Sequence, residues 1–227
     1  MAGIIYILQD YGPSFLRALG VTVQMTIFSL ILATIIGVVV GLINVSTFRP
    51  LKVITRIYID IIRGTPLLVQ VFIMFFGITQ VLNFRWPTIW GYAPAFVAGT
   101  VTLALNAGAY MAEIVRGGIE GIDKGQMEAA RSLGLPYSKT MAKIILPQAF
   151  RMMLPTVINQ FIISLKDTSL ISVIGPVELT QNGRIIAAAS SHMVMSVWLT
   201  VAIFYLVVCT LLSFTAKYVE RRISYGK

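Results

Sequence analysis

Four stretches of this 227-residue chain carry no charge and are each long enough to cross a membrane. Residues 18–48 give 31 uncharged positions, 64–84 give 21, 86–112 give 27 and 185–216 give 32. A transmembrane helix needs about 20 mostly apolar residues. Composition agrees, with 57% of residues hydrophobic and 12% charged, against about 25% charged in soluble domains. A lone cysteine, Cys209, excludes a disulfide scaffold, and the apolar content excludes a disordered chain. The chain reads as an all-α membrane protein.

A fifth apolar stretch, Arg151–Glu178, is interrupted by Lys166 and Asp167. It is read as one span because MMLPTVINQFIISL and TSLISVIGPV flank the charged pair; two short re-entrant pieces are the alternative. The spans then lie at about 20–45, 60–84, 88–112, 152–175 and 193–216, with a polar loop at 113–150. The first is too long for the 7–15-residue core of a signal peptide and has no small-residue cleavage site after it. Five spans put 14 of the 18 lysines and arginines on one side, from Arg49, Lys52, Arg56 and Arg63 through the 113–150 loop to Lys217, Arg221, Arg222 and Lys227. Only Arg17, Arg85 and Arg184 fall on the other. The positive-inside rule then orients the N-terminus outside and the C-terminus in the cytoplasm. The net charge of +9 follows from topology, so no nucleic-acid partner is needed.

Trp86, Trp90 and Tyr92 cluster before the third span, as an interfacial aromatic belt would. Pro66 is expected in the first turn of the second span, where its missing N–H costs least. Ala33, Gly37 and Gly41 recur every four residues, a spacing that admits a closely packed helix from the same chain or from another subunit.

No enzyme site can be assembled. The chain has one histidine, His192, which is read as interfacial, and it lacks metal-ligand, nucleophile-elbow and phosphate-loop motifs. No metal site is expected. The sequon at Asn44 falls on the cytoplasmic side and is read as chance.

The loop at 113–150 is informative because a structureless connection of that length is unusual. Gly134 and Pro136 end a short polar helix, Gln126–Leu133, as a glycine cap and following proline should. Within it, Glu128-Ala129-Ala130, three residues, Gly134, nine residues and Ile144-x-Leu146-Pro147 match all seven positions of the EAA motif. The chain thus resembles the permeases of binding-protein-dependent ABC importers. RGTPLLVQ (63–70), AYMAEIVRGGI (109–119), GQMEAARSLG (125–134) and LKDTSLISVIG (165–175) resemble the five-span permeases for polar amino acids.

The resemblance implies an extracytoplasmic solute-binding protein, two permease subunits, identical or paralogous, and two ATPase subunits that hold ATP–Mg. This chain would carry no cofactor. The setting implied is the bacterial cytoplasmic membrane. Glu128, Ala129, Ala130, Leu133 and Gly134 would form the helix that docks on the ATPase. Alanines would keep its face thin, and Glu128, expected in its first turn, would suit the helix dipole.

Polar residues at membrane depth are costly and mark pathways. On this ground Lys166, Asp167, Thr168, Asn106, Asn159 and Gln160 are candidates for the substrate route, with Asp167 meeting an amino group or cationic side chain. An ion-coupled secondary transporter using Lys166 and Asp167 is the alternative, though only one span is interrupted and no internal repeat is seen. An assembly component without a pathway would not need these polar groups.

Overall fold

The computed structural model describes residues 2–224; Lys227 and the side chains of Arg221 and Arg222 lie outside what it describes. The described residues form α1 (Ala2–Val45), α2 (Arg49–Arg63), α3 (Leu67–Leu82), α4 (Pro94–Glu120), α5 (Lys124–Ser132), α6 (Tyr137–Ile174), α7 (Leu179–Ala189) and α8 (Val194–Ser224). Single π turns interrupt α3 at Ile73–Gly77 and α6 at Met141–Ile145. Helices α1, α4, α6 and α8 are long and apolar enough to cross a membrane. Together α2 and α3 make a further candidate, bent by 106°.

Close contacts give the helix directions. Phe28 meets Phe96, Gly37 meets Met111 and Gly41 meets Val115, so α1 and α4 run parallel. Gly3 against Ser196 and Phe15 against Phe204 align α8 with them. Gly99 against Ile171 and Gly118 against Met153 make α6 antiparallel to α4. Because α1 and α4 are parallel, the bent α2–α3 segment must carry the chain back along the bundle.

The 60–84 stretch, read from sequence as one helix, is therefore two, and the first begins at Arg49. The break lies at Gly64-Thr65-Pro66, with Pro66 as the N-cap of α3 rather than inside its first turn. Proline offers no N–H to the carbonyl four residues back and disfavours helix at the residue before it. By contrast, Lys166 and Asp167 sit inside a continuous helix, Leu146–Ile171, and not between two re-entrant pieces.

Glycines set the tightest contact. A Cβ at Gly37 would fall 2.3 Å from the Met111 Cβ, and one at Gly41 2.7 Å from the Val115 Cβ. The spacing at Ala33, Gly37 and Gly41 thus serves packing within the chain, between α1 and α4. Trp90, at 87% exposure, stands free at the aromatic end, whereas Tyr92 stacks on Phe96 and Trp86 donates to the Met74 carbonyl.

Candidate functional site

Helix α5 is set off from its neighbours by local signals. Asp123 caps its start, accepting from the Gly125 N–H at 2.6 Å. At its end Gly134 takes φ +82°, and the N–H groups of Gly134 and Leu135 return to the carbonyls of Arg131 (3.0 Å) and Ala130 (3.1 Å). This is the glycine stop expected from the sequence. The helix starts at Lys124, so Glu128 lies mid-helix and the dipole argument for it fails; Asp123 is the acidic group at the N-terminus. Glu128 and Ala129 are exposed, and Leu133, just past the helix end, is 84% exposed. Ala130 is buried, so its small size serves packing inside the chain rather than the free face. Met127 anchors α5 to a cluster of Val115, Ile119, Ile145, Ala149 and Met153. The 113–150 stretch thus holds the last turns of α4, the short α5 packed on them by one side, and the start of α6.

The candidate pathway residues divide between two faces of α6. Thr156, Asn159, Ile163, Lys166 and Leu170 recur at helical spacing and are all exposed. Gln160, Ser164 and Thr168 are buried on the opposite side, where the Ser164 hydroxyl has no partner. Asp167 lies half-buried between the two faces. Successive residues point about 100° apart on a helix, which is why the charged pair splits.

Asn106 is buried on α4, level with Ser164 by the antiparallel pairing. It donates to Gln70 Oε1 at 2.9 Å. Gln70 in turn donates to the carbonyls of Ile62 (2.7 Å) and Thr65 (3.0 Å) and to the Thr65 hydroxyl (2.9 Å). The Ile62 carbonyl is the one whose helical donor would have been the absent Pro66 N–H. Gln70 therefore closes the break between α2 and α3 and ties it to α4. Asn106 is drawn into this network, and no contact with Asp167 is formed.

Below the break, Arg63 lies 5.4 Å over the Tyr110 ring and 3.3 Å from Glu113. Glu113 also pairs with Arg116 at 2.9 Å, and Arg116 with Glu120. These groups, with Asn44, Lys52, Arg56 and Asp60, line a polar cleft of about 170 Å³ where α1, α2 and α4 meet.

Two residues escaped the sequence reading. Glu178, fully buried, caps α7 by accepting from the Gln181 N–H at 2.7 Å, and it accepts from the Tyr205 hydroxyl of α8 at 2.8 Å. Burial pushes its carboxyl above the usual carboxylate range, against hydrogen bonds that favour the anion. Its one sequence signal was a carboxylate just after Gly175 and Pro176, where a helix could open. Gln70 had a weaker signal, an amide four residues past Pro66 in a charge-free stretch.

Residues 33–225 match the family of the binding-protein-dependent transport system inner membrane component. The arginine transport system permease protein ArtQ of Bacillus subtilis (strain 168) is 37% identical over 211 residues, covering 93% of both chains. The glutamine transport system permease protein GlnP of Escherichia coli (strain K12) is 37% identical over 210 residues, covering 92% of this chain and 93% of that one. A solved structure, described as the crystal structure of an amino acid ABC transporter with histidines, superposes with a TM-score of 0.86 at 36% identity, covering 95% of this chain and 96% of that one. With an intact EAA segment on a short helix whose other side is exposed, this all-helical bundle belongs to the inner membrane components of binding-protein-dependent transport systems.

Proposed function

We propose that this chain is the pathway-forming permease subunit of an ATP-driven importer, moving a polar amino acid across the bacterial cytoplasmic membrane. One observation carries the pathway: the open face of α6, with Thr156, Asn159 and Lys166 at helical spacing. A lysine at membrane depth costs about 2.5–3.5 kcal/mol even on the mild insertion scale, so such a face turns to water or protein rather than lipid. A second permease copy or paralogue would complete a water-filled route along it. Asp167, at the edge of that face, would meet the substrate's amino group through a charge-assisted hydrogen bond. Thr168, Gln160 and Asn106 stand behind it and shape the wall.

The polar amino acid is supported by relatives named for arginine, glutamine and L-cystine. Five crossings are supported by the parallel α1 and α4 with a returning α2–α3 between them. The excess of basic residues on the α5 side supports α5 in the cytoplasm and the N-terminus outside. There α5 would dock on the ATPase dimer through Ala129, Leu133 and Glu128, while ATP–Mg is held by that partner. An extracytoplasmic binding protein would deliver the substrate to the opposite end. Family membership removes the ion-coupled alternative.

Reconstitution tests this reading. Vesicles holding the permease with its ATPase should accumulate a labelled polar amino acid only with ATP on the α5 side and loaded binding protein on the other. Uptake driven by an ion gradient without ATP would refute it.

A further inference from the structure

The network at Glu178 is larger than helix capping requires. A cap needs only a short polar side chain at the helix end, and an exposed Ser or Asp supplies it. Here the capping carboxylate is fully buried, and burying a charge is costly unless hydrogen bonds compensate. The compensating donor comes from another helix, α8, as the Tyr205 hydroxyl. The same hydroxyl lies 3.3 Å from Thr180 Oγ1, at the start of α7, and 3.4 Å from Thr168 Oγ1 of α6. Thr168 directly follows Asp167. One phenol therefore touches the start of α7 and the turn of α6 that carries the pathway charges.

The rest of α7 is fastened elsewhere. Its Leu179 N–H donates to Thr22 of α1 at 3.1 Å, and Asn182 donates to Ser14 of α1 at 3.3 Å. Leu179 and Ile186 join Phe15, Ala18, Val197 and Val201 in one apolar cluster. Helix α7 is thus held with α1 and α8, and α6 reaches it through Gly175, at φ +107°. That linker leaves the relative position of α6 and α7 to side-chain contacts, and the Glu178–Tyr205–Thr168 set supplies polar ones.

We propose that Glu178 and Tyr205 are positioning residues of the transport cycle: their buried bond holds α7 against Thr168 and so sets where Asp167 and Lys166 stand in the pathway. The inference rests on the pathway reading above and adds residues that do not line the route. In the reconstituted transporter, uptake and ATP hydrolysis are measured in the same vesicles for Tyr205→Phe, Glu178→Gln and the double variant. Tyr205→Phe keeps the ring and removes the bond to Glu178 together with the hydroxyl's contacts to Thr180 and Thr168, so uptake per ATP hydrolysed should fall about tenfold while membrane abundance stays at the wild-type level. Glu178→Gln retains one acceptor oxygen and should lose less; it carries the comparison if Tyr205→Phe does not accumulate. The double variant should be no worse than the worse single one, because both act through one bond. A wild-type ratio in the singles, or effects that multiply in the double, overturns the proposal. Asp167→Asn in parallel separates the two readings: full uptake there refutes the pathway assignment, whereas lost uptake there with a wild-type ratio in Tyr205→Phe refutes the positioning role alone.

Discussion

Replacing Gln70 with leucine should destabilise the bundle at its sharpest bend. The residue is 7% exposed; the two amide hydrogens are shared among three acceptors at the break, and the amide oxygen accepts from Asn106. Leucine has nearly the same length and none of these groups. The Ile62 and Thr65 carbonyls lose their amide donor, and the Asn106 amide loses its acceptor; the Thr65 hydroxyl is still engaged with the Ile61 carbonyl at 2.8 Å. An orphaned buried group costs about 1–3 kcal/mol in soluble proteins, and polar contacts inside membranes average about 0.6 kcal/mol. Three groups at an intermediate value of about 1 kcal/mol each come to about 3 kcal/mol. For a chain of this size each kcal/mol moves the midpoint by about 2–4 °C, so the apparent melting temperature should drop by about 6–12 °C. Thermal unfolding of the detergent-purified chain, followed by intrinsic fluorescence, reads this directly. Gln80, exposed further along α3, provides the control, and Gln80→Leu should shift the midpoint by less than about 2 °C. If the two variants melt together, Gln70 does not hold the break and the account of α2 and α3 is wrong.

Gly134→Asp places a Cβ at φ +82° with nothing within 4 Å of it, so the cost is backbone strain of about 1–2 kcal/mol; the chain should insert normally, yet lose ATPase co-purification and ATP-dependent uptake. Asp167→Asn should leave abundance and ATPase binding intact and cut uptake about tenfold or more, as a charge-assisted contact becomes a neutral one; vesicle uptake at the wild-type rate would count against a substrate contact. Gly37→Ala should lower the melting midpoint, since its Cβ would fall 2.3 Å from Met111 and overpacking costs about 1–3 kcal/mol. Gly20→Ala on the same helix meets nothing within 4 Å and should raise it, since alanine is favoured over glycine in a helix by about 1 kcal/mol.

Which features were legible in the sequence depends on how far apart their determinants lie. Charge-free windows, the stop at Gly134 and Pro136, and the ends of α5 are written within a few residues of where they act. The backbone answers to neighbours at i±4, to a proline without an N–H and to a glycine that tolerates positive φ. The family motif was readable for the same reason, being one contiguous segment. Composition and window length likewise settled that the chain is an all-helical membrane protein.

The tertiary structure decided which faces meet. Nothing local says that Gly37 lies on Met111, that Ala130 turns inward while Leu133 turns out, or that Asn106 answers Gln70 from 36 residues away. Those outcomes depend on helix direction and register, which are set when whole apolar faces are buried together. The same physics hid Glu178: a carboxylate before a polar segment looks exposed until a distant helix brings a hydroxyl that donates to it and offsets its burial. The second span shows the boundary most clearly. Gly64 and Pro66 weaken the helix locally, yet Pro13 and Pro155 sit inside unbroken helices, so only packing against α4 determines that the chain bends here by 106° with Gln70 closing the gap, because a missing donor creates a need that only a side chain brought close by the fold can meet.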